Sequence, residues 1–499
     1  MKKILGIIVA ICLMATMLCV AVFAADAPAS DVVLRVSALK KDGTTVVLGD
    51  YKDFAEGWEA AIDLGENKKE MKNNSYYRVV VDLYADWNAN EDGEFGKSGD
   101  DGFQFSTIYV PDDVKITINM NGHTINRGLK EWEYDGEVIY IDEDADVIIN
   151  DGTITGGWSC NGAGGIHIHD ADVTLNNVNV NGNAVEDDKG AGIALYDGAN
   201  LTMNGGSISN NRFYTSGTIF DTTEGALFVE DSTAVLNNVT IRGNNPAGDR
   251  ESTDMLGAAV SMNGRSKLTL NGCLVEDNAY DLGTDLTNIM SIFYADDEDC
   301  TLILNDTVIR NNGTRIYEDH ASSGVFAIYG KLTINRCTIT GNKTRSIFFV
   351  TEDAPFSTEV VDTVITDNDS RILGYDFGCP VVEYNFVRCT FNNNNDPKAN
   401  HTFMNEVVSM KGLIAKVTFY DCDLGNSTFD KPEYYTIVDT SETETDSKIG
   451  SMLGQGNVAM IFSLVAVFAA CAAIGIVITK EKKKDSILAK LLAAAEGND

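Results

Sequence analysis

Residues 267 to 278 read KLTLNGCLVEDN, and near-copies of this stretch recur along the chain at intervals of 26 to 34 residues. With Val275 as anchor, the equivalent positions are Ile125, Ile154, Val180, Ile208, Ile241, Val275, Ile309, Ile339, Ile365, Phe391 and Leu424. Four residues ahead of the anchor, the first eight copies carry Asn: Asn121, Asn150, Asn176, Asn204, Asn237, Asn271, Asn305 and Asn335. Three residues behind it, Asn returns at Asn183, Asn211, Asn244, Asn278, Asn312, Asn342, Asn368 and Asn394. A period of this size marks a solenoid, in which each unit leaves an apolar face that only the next unit covers.

The unit is strand-like. Leu268-Thr-Leu270 and Leu274-Val275 are short aliphatic runs separated by Asn-Gly, with no 3.6-residue stripe. A third strand opens near a Gly, at Gly165-Ile-His-Ile-His, Gly192-Ile-Ala-Leu-Tyr, Gly225-Ala-Leu-Phe-Val, Gly257-Ala-Ala-Val and Gly324-Val-Phe-Ala-Ile-Tyr. Short strands bent at Asn predict a parallel β-helix, because Asn tolerates left-handed backbone angles and its amide both donates and accepts up a column of turns about 4.8 Å apart. The competing reading, hairpin turns of an all-β sandwich, does not require the two Asn columns to keep phase. The expected fold class is therefore all-β, a solenoid of about eleven coils and roughly 50 Å of stacked strands. The loop from the second Asn to the Gly-led strand takes up the spread in repeat length, and binding or chemistry belongs there.

These coils resemble the right-handed parallel β-helix of the pectin lyase-like superfamily. The Gly-led strands combined with Ile-x-x-Asn, strict in Phe391-Asn-Asn-Asn394, resemble the repeats of polymorphic outer-membrane adhesins. The resemblance spans about Ile108 to Leu424. It implies the fold, and for function it implies adhesion or action on polysaccharides.

The remaining segments are read in order. Residues 1–24, with two lysines and an apolar core ending in Val22-Phe-Ala24, read as a signal peptide, an uncleaved anchor being the alternative. Residues 25–107 form an N-terminal cap: a strand at Val32–Val36, a helix opened by the capping box Asp53-Phe-Ala-Glu56, and a strand from Tyr77. Phe54, Trp58, Ala61 and Ile62 share that helix's apolar face, which would cover the open end of residues 108–425, the β-helix. The acidic loop from Trp87 to Gly102 spaces Asp86, Asn88, Asn90 and Asp92 like a calcium loop, but Glu91 stands where such a loop needs Gly, so it reads as solvated. Residues 426–457 are a polar acidic spacer, and Val458 to Ile478 is free of charge. As a helix of roughly 32 Å it spans a bilayer, which assigns 458–479 to a transmembrane helix. The cluster Lys480-Glu-Lys-Lys-Lys484 in the tail 480–499 places the C-terminus in the cytoplasm and the β-helix outside. No Leu-Pro-x-Thr-Gly precedes the span, so the chain is expected to stay in the membrane.

Lys and Arg number 38 against 74 Asp and Glu, a formal net charge of -36. That disfavours nucleic acid as a partner and repels acidic polysaccharide unless calcium or a local basic site bridges it. Of ten cysteines, Cys12, Cys19 and Cys471 fall in the two apolar segments, and the seven left cannot form a closed disulfide framework. Cys273, Cys337, Cys389 and Cys422 each precede an anchor by two and share a column of buried thiols; Cys389 and Cys422 are the pair in register for a bridge.

Three sets of residues are candidates for a site. His167 and His169 share one face of a strand and with Asp170 supply part of a metal site, against which stands the reading of surface histidines without a role. Arg345 and Arg371 follow their anchors by six residues, as does Arg315 in a longer loop, and would flank an anion-binding groove or pair with Glu318, Asp319, Asp367 and Asp369. In pectate-lyase relatives an arginine and calcium-binding carboxylates carry β-elimination, so the resemblance makes Arg345 and Arg371 catalytic candidates, with Ca2+ as cofactor. Tyr196, Tyr329 and Tyr375 are candidates for stacking on sugar rings, with a core role as the alternative. The paired carboxylates of glycoside hydrolysis are not assignable: Asp187-Asp188 stands alone in a loop. The reading is a membrane-anchored surface protein for recognition of a glycan, a host or a neighbouring cell, with polysaccharide lyase or hydrolase as the alternative and a structural stalk as the second.

Overall fold

Lys267–Asn271 is a strand in which Leu268 and Leu270 are buried while Thr269 and Asn271 are not. Leu268 lies in register between Ala234 and Leu302, and Asn271 between Asn237 and Asn305, all in parallel pairing. The next strand, Leu274–Glu276, sets the anchor Val275 between Ile241 and Ile309. On the third face Val260 lies between Leu227 and Phe293. The 26-to-34-residue period is thus one circuit of a parallel β-solenoid whose three faces surround one apolar core. Inside it Phe293, Phe326 and Phe348 stack at 5.2 and 5.6 Å.

This description comes from a computed structural model and covers residues 29–89, 107–214, 222–223, 225–246, 253–279, 287–313, 324–350, 357–375, 382–395, 402, 406–407, 412–413, 415–429 and 435–439. The expected signal segment, most of the spacer, the membrane span, the basic tail, Arg315, Glu318, Asp319, Asn90 and Asp92 lie outside those residues. Among the described residues no helix is long and apolar enough to cross a membrane.

The number of turns differs from the number of anchors. Among the described residues the third-face ladder runs through ten strands, from Ile108–Val110 to Arg371–Tyr375. The last strand on the anchor face is Thr390–Asn392, and at the eleventh anchor only a bridge from Thr390 to Asp423 remains. Leu424 packs half-buried against the end of the core.

Both Asn columns form hydrogen-bonded ladders, though the left-handed backbone is carried by the neighbouring residue. On the first corner Asn176 Nδ2 donates to Asn150 Oδ1 at 2.8 Å, Asn204 to Asn176 at 2.9 Å and Asn237 to Asn204 at 3.0 Å, continuing to Asn335. The residue after each ladder Asn has positive φ: Asp151, Asn177, Gly205, Asn238, Gly272, Asp306 and Arg336, and the same corner position keeps it at Asp362 and Arg388, which follow Val361 and Val387. On the second corner the buried Asn follows such a residue, as in Gly182-Asn183, Asn210-Asn211, Asp277-Asn278 and Asp367-Asn368. One residue takes the bend, leaving the Asn extended so that its amide points up the column. The first coil departs from the expected phase, because Asn119, not Asn121, receives the bond from Asn150. Asn121 instead sits in a longer turn at φ 54.

The cap contains the expected helix and one unexpected strand. Strands β1 (Leu34–Lys40) and β2 (Thr45–Tyr51) form a hairpin, followed by helices α1 (Phe54–Glu66) and α2 (Lys68–Asn73) and strand β3 (Tyr76–Leu83). Asp53 caps α1 by accepting from the Glu56 N–H at 2.9 Å. Phe54, Trp58, Ala61 and Leu64 are its buried positions, and Phe54 stacks on Trp87 at 4.6 Å, closing the end of the core. Strand β3 is antiparallel to β1 and parallel to Lys115–Asn119, so it converts the hairpin into the first rung of the solenoid. Of the oxygens spaced like a calcium loop, Asp86 accepts from the Thr124 N–H at 2.9 Å and Asn88 from Asn126 at 2.9 Å. Both therefore serve the first turn's own hydrogen bonding.

Candidate functional site

The variable loops of the second to fifth turns are not splayed apart. They pair with one another as a short parallel sheet of Trp158–Ser159, Ala184–Glu186, Arg212–Tyr214 and Asn245–Pro246. This sheet is a ledge beside the third face. Trp158 and Tyr214 stack within it at 4.4 Å.

Along the third face next to the ledge runs a column of rings. Tyr109, Tyr140, His167, Tyr196 and Phe228 follow one another with centroids 5.8, 4.6, 4.9 and 5.6 Å apart. Strand alternation puts His167 and His169 on one face, as expected. Burial holds the His167 imidazole down at about 4, so it is neutral at ordinary pH, and its Nδ1 is buried with no hydrogen-bond partner among the described residues. His169 is held between turns: its Nε2 lies 3.1 Å from Asp197 and its Nδ1 3.5 Å from Asp142. Both His169 nitrogens thus face carboxylates, and among the described residues no group of three His, Cys, Asp or Glu side chains is placed to hold a metal ion.

Between the column and the ledge lies a concavity of about 310 Å³ lined by Asn161, Gly162, His167, His169, Asp188, Tyr196 and Asp197. Gly162 (φ +106) is required there, since a Cβ would come within 2.3 Å of His167 Nδ1. Its N–H donates to Asp188 Oδ2 at 2.6 Å, and the Lys189 N–H donates to Asp188 Oδ1 at 2.8 Å. Burial nonetheless raises the Asp188 carboxyl above the usual carboxylate range. The Asp187-Asp188 pair, isolated in the sequence, thus contributes Asp188 to the wall of this site.

Next to it, the segment 128–138 carries two exposed rings, Trp132 at 51% and Tyr134 at 62% exposure. Arg127, fully buried, holds this segment: it donates to the carbonyls of Asp135 at 2.9 Å and Glu137 at 2.6 Å, to Thr107 Oγ1, and to Glu133 Oε2 at 2.8 Å. Ser159 Oγ donates to the Tyr134 carbonyl at 3.2 Å, and Asn161 Nδ2 to Asp135 Oδ1 at 3.2 Å, tying the segment to the ledge. Nothing in the repeat pattern marks Trp132, Tyr134 or Arg127, which lie between two copies of it.

The other expected residues are dispersed. Arg345 is exposed, and Arg371 is paired with Ser346, one residue out of step with Arg345, so the two arginines do not stack. Neither lines the concavity. The arginines that do alternate with acids are Arg336, bidentate to Asp306 at 2.7 and 2.6 Å, and Arg388, bidentate to Asp362 at 2.6 and 2.7 Å. Of the three tyrosines, Tyr196 lies at the concavity, with His167 and Phe228 flanking its ring. Tyr329 packs half-buried against the core, and Tyr375 is paired with Val350 on the last third-face strand.

Residues 115–408 match the family described as the right handed beta helix region. No curated protein and no solved structure matches the chain. The match covers more than half of the chain, and the same residues build the parallel ladders and Asn columns described above. The chain belongs to the right-handed β-helix family.

Proposed function

We propose that this β-helix is a recognition protein that binds an uncharged, hydroxyl-rich sugar chain at the ledge between the third face and Trp132. One observation carries the reading: a concavity of about 310 Å³ lined by amide, imidazole, phenol and carboxylate groups adjoins two exposed aromatic rings on a clamped segment. Sugars take donors and acceptors at their hydroxyls and an aromatic face at their C–H surface. Asp142, Glu143, Asp188 and Asp197 surround the imidazoles, so an anionic chain is repelled there and a neutral one is not. The charge-free stretch 458–478 and the lysines after it support display on the outer side of a membrane.

The test is a binding screen of the full chain in detergent against neutral and acidic glycans, with and without calcium, beside the variant Trp132→Ala/Tyr134→Ala. Binding of a neutral glycan that is independent of calcium and falls about tenfold in the variant supports the proposal. Equal binding by the variant removes the ledge from it. A second reading, hydrolysis of the bound chain, rests on Asp188, a partly buried carboxyl in the wall of the concavity. It predicts release of reducing ends from the bound glycan, abolished by Asp188→Asn with binding retained.

A further inference from the structure

The second concavity of the described residues has the opposite electrostatic character. It measures about 320 Å³ and lies in the cap, where the ends of α1 and α2 meet the beginnings of β3 and of the strand Lys115–Asn119. Four lysines line it, Lys41, Lys68, Lys72 and Lys115, against one carboxylate, Asp113. This is an inversion of the whole chain, which carries 74 acidic and 38 basic residues. Lysines scattered over an acidic surface each sit beside carboxylates. Four that converge on one hollow leave a local positive potential that the walls focus.

The hollow is built rather than incidental. Gly65, in the last turn of α1, lies against Val114, where a Cβ would come within 2.9 Å of Val114 Cγ1, which brings the helix end down onto the sheet. Ser75, at φ 59, turns the chain from α2 into β3, and its carbonyl accepts from the Lys41 N–H at 3.4 Å, fixing Lys41 opposite Lys72. Lys68 Nζ is held by the Asp113 carbonyl at 2.8 Å, and Lys115 by Asp146 at 3.3 Å. Lys41 and Lys72 are exposed and have no carboxylate at ion-pair distance among the described residues. Met71 and Tyr76 give the hollow an apolar wall.

We propose that this hollow binds a sulfate or phosphate monoester carried on a sugar. Its cations are all lysines. Bidentate capture of a planar carboxylate is the geometry of the guanidinium fork, which the lining lacks; ammonium groups act as point charges that suit a compact tetrahedral anion. Beside the anion, Met71 and Tyr76 offer the apolar surface that a sugar ring covers. The site is separate from the ledge, and its test is independent of the ledge's.

The experiment measures binding of dextran sulfate, uncharged dextran, polygalacturonate and inorganic sulfate to the full chain in detergent, beside Lys41→Gln/Lys72→Gln. Both substituted side chains are exposed, and unchanged far-ultraviolet circular dichroism verifies the fold. The expected result is binding of dextran sulfate at low salt, tighter than any binding of dextran, and a loss of tenfold or more, roughly, in the double variant, with dextran binding unchanged by it. Inorganic sulfate competing at millimolar levels would identify the ester itself as the recognised group. Equal binding by the double variant, no binding of dextran sulfate, or polygalacturonate bound as tightly as dextran sulfate each overturns the proposal.

Discussion

Asn278 shows what a single residue does in this chain. Its Nδ2 donates to the Ile241 carbonyl at 3.0 Å and to Asn312 Oδ1 at 3.0 Å, while its Oδ1 accepts from the Asn244 N–H at 3.2 Å and Asn244 Nδ2 at 2.9 Å. One amide thereby satisfies two backbone groups of the preceding turn and bonds to the ladder amides on both sides of it. Glu137 is the contrasting case, a buried carboxyl whose Oε2 has no partner among the described residues and which burial pushes up to about 7. Because its folded value lies above its unfolded one, its contribution to stability is complete below about pH 4.5 and is lost as the pH rises through about 7. Glu137→Gln should match the wild type at pH 4 and exceed it by about 3 kcal/mol above pH 8 in urea denaturation. Arg127 keeps Glu133 as its ion-pair partner in that variant. His167, held low by burial, has the opposite slope, its contribution being lost as pH falls from 6.5 to about 4; it is present in both proteins and cancels in the difference. A variant that keeps the wild-type pH profile would show that Glu137 titrates normally.

At the scale of elements, the cysteine column explains how much a period can tell. From the anchor Val275 onward, the residue two before the anchor is Cys273, Thr307, Cys337, Thr363, Cys389 and Cys422 on successive turns. The Cys273 N–H donates to Thr307 Oγ1 at 3.3 Å, the Cys337 N–H to Thr363 Oγ1 at 3.2 Å and the Cys389 N–H to Cys422 Sγ at 3.3 Å. The six cysteines among the described residues are free thiols, so Cys389 and Cys422 form a hydrogen-bonded pair and not a bridge. From Cys273 onward the position holds a small side chain that accepts from the neighbouring N–H, and thiol and hydroxyl are interchangeable there; on earlier turns the buried Val178 and Val239 fill it. Cys337→Thr should accordingly change stability by less than about 1 kcal/mol, whereas Cys337→Val, which has no acceptor but nearly the same volume, should cost about 2 kcal/mol by the same denaturation measurement. Burial drives the Cys337 thiol up to about 12, so iodoacetamide should leave it unmodified at pH 8 in the native protein. Equal stability of the threonine and valine variants would show that the column is set by volume alone.

The same elements mark where the sequence was legible. Strands, corners and both Asn ladders could be read because each turn repeats the same burial problem and solves it with the same residue types. The ledge could not: its strands are two or three residues long, in loops of unequal length, and only pairing with the turns above and below makes them strands. For that reason His167, His169 and Tyr196 could be placed on a repeating strand from the sequence, while the positions of Asp188, Trp132 and the Arg127 clamp beside them could not. Arg345 and Arg371 stand one residue out of step for a related reason, since counting from the anchor loses register once the intervening loop changes length by one residue. The cap hollow was illegible because its lysines come from three separate segments, the β1–β2 turn, α2 and the strand Lys115–Asn119.

The whole molecule follows from nearest-neighbour contact. An interior turn of a solenoid touches only the turn before and the turn after it, so removing one complete turn leaves two compatible surfaces to meet. Deleting residues 275–308 joins Leu274 to Ile309, which puts Ile309 in the anchor column and Asn312 above Asn244, keeps Asn271 in the first ladder below Asn335, and sets Cys337 next to Cys273 as Cys422 is next to Cys389. The pair Arg336 and Asp306 is broken, as are the pairs of Arg242 and Arg310 with Glu276, and Arg310 comes into register beside Arg242, a modest loss for partly exposed groups. The shortened chain should retain one cooperative thermal transition within about 5 °C of the parent, with circular dichroism per residue unchanged. Deleting 275–290 removes half a circuit, so every later strand presents its side chains to the wrong face; that variant should be insoluble or unfolded, because a shift of register exposes the core. The cap is the one part without such a substitute: α1 supplies Phe54 and Trp58 to an end of the core that no second turn covers. Failure of the full-turn deletion to fold, with the half-turn deletion no worse, would mean that the turns are cooperative over longer range than their contacts, and the repeat would then be a description of the sequence without being the unit of stability.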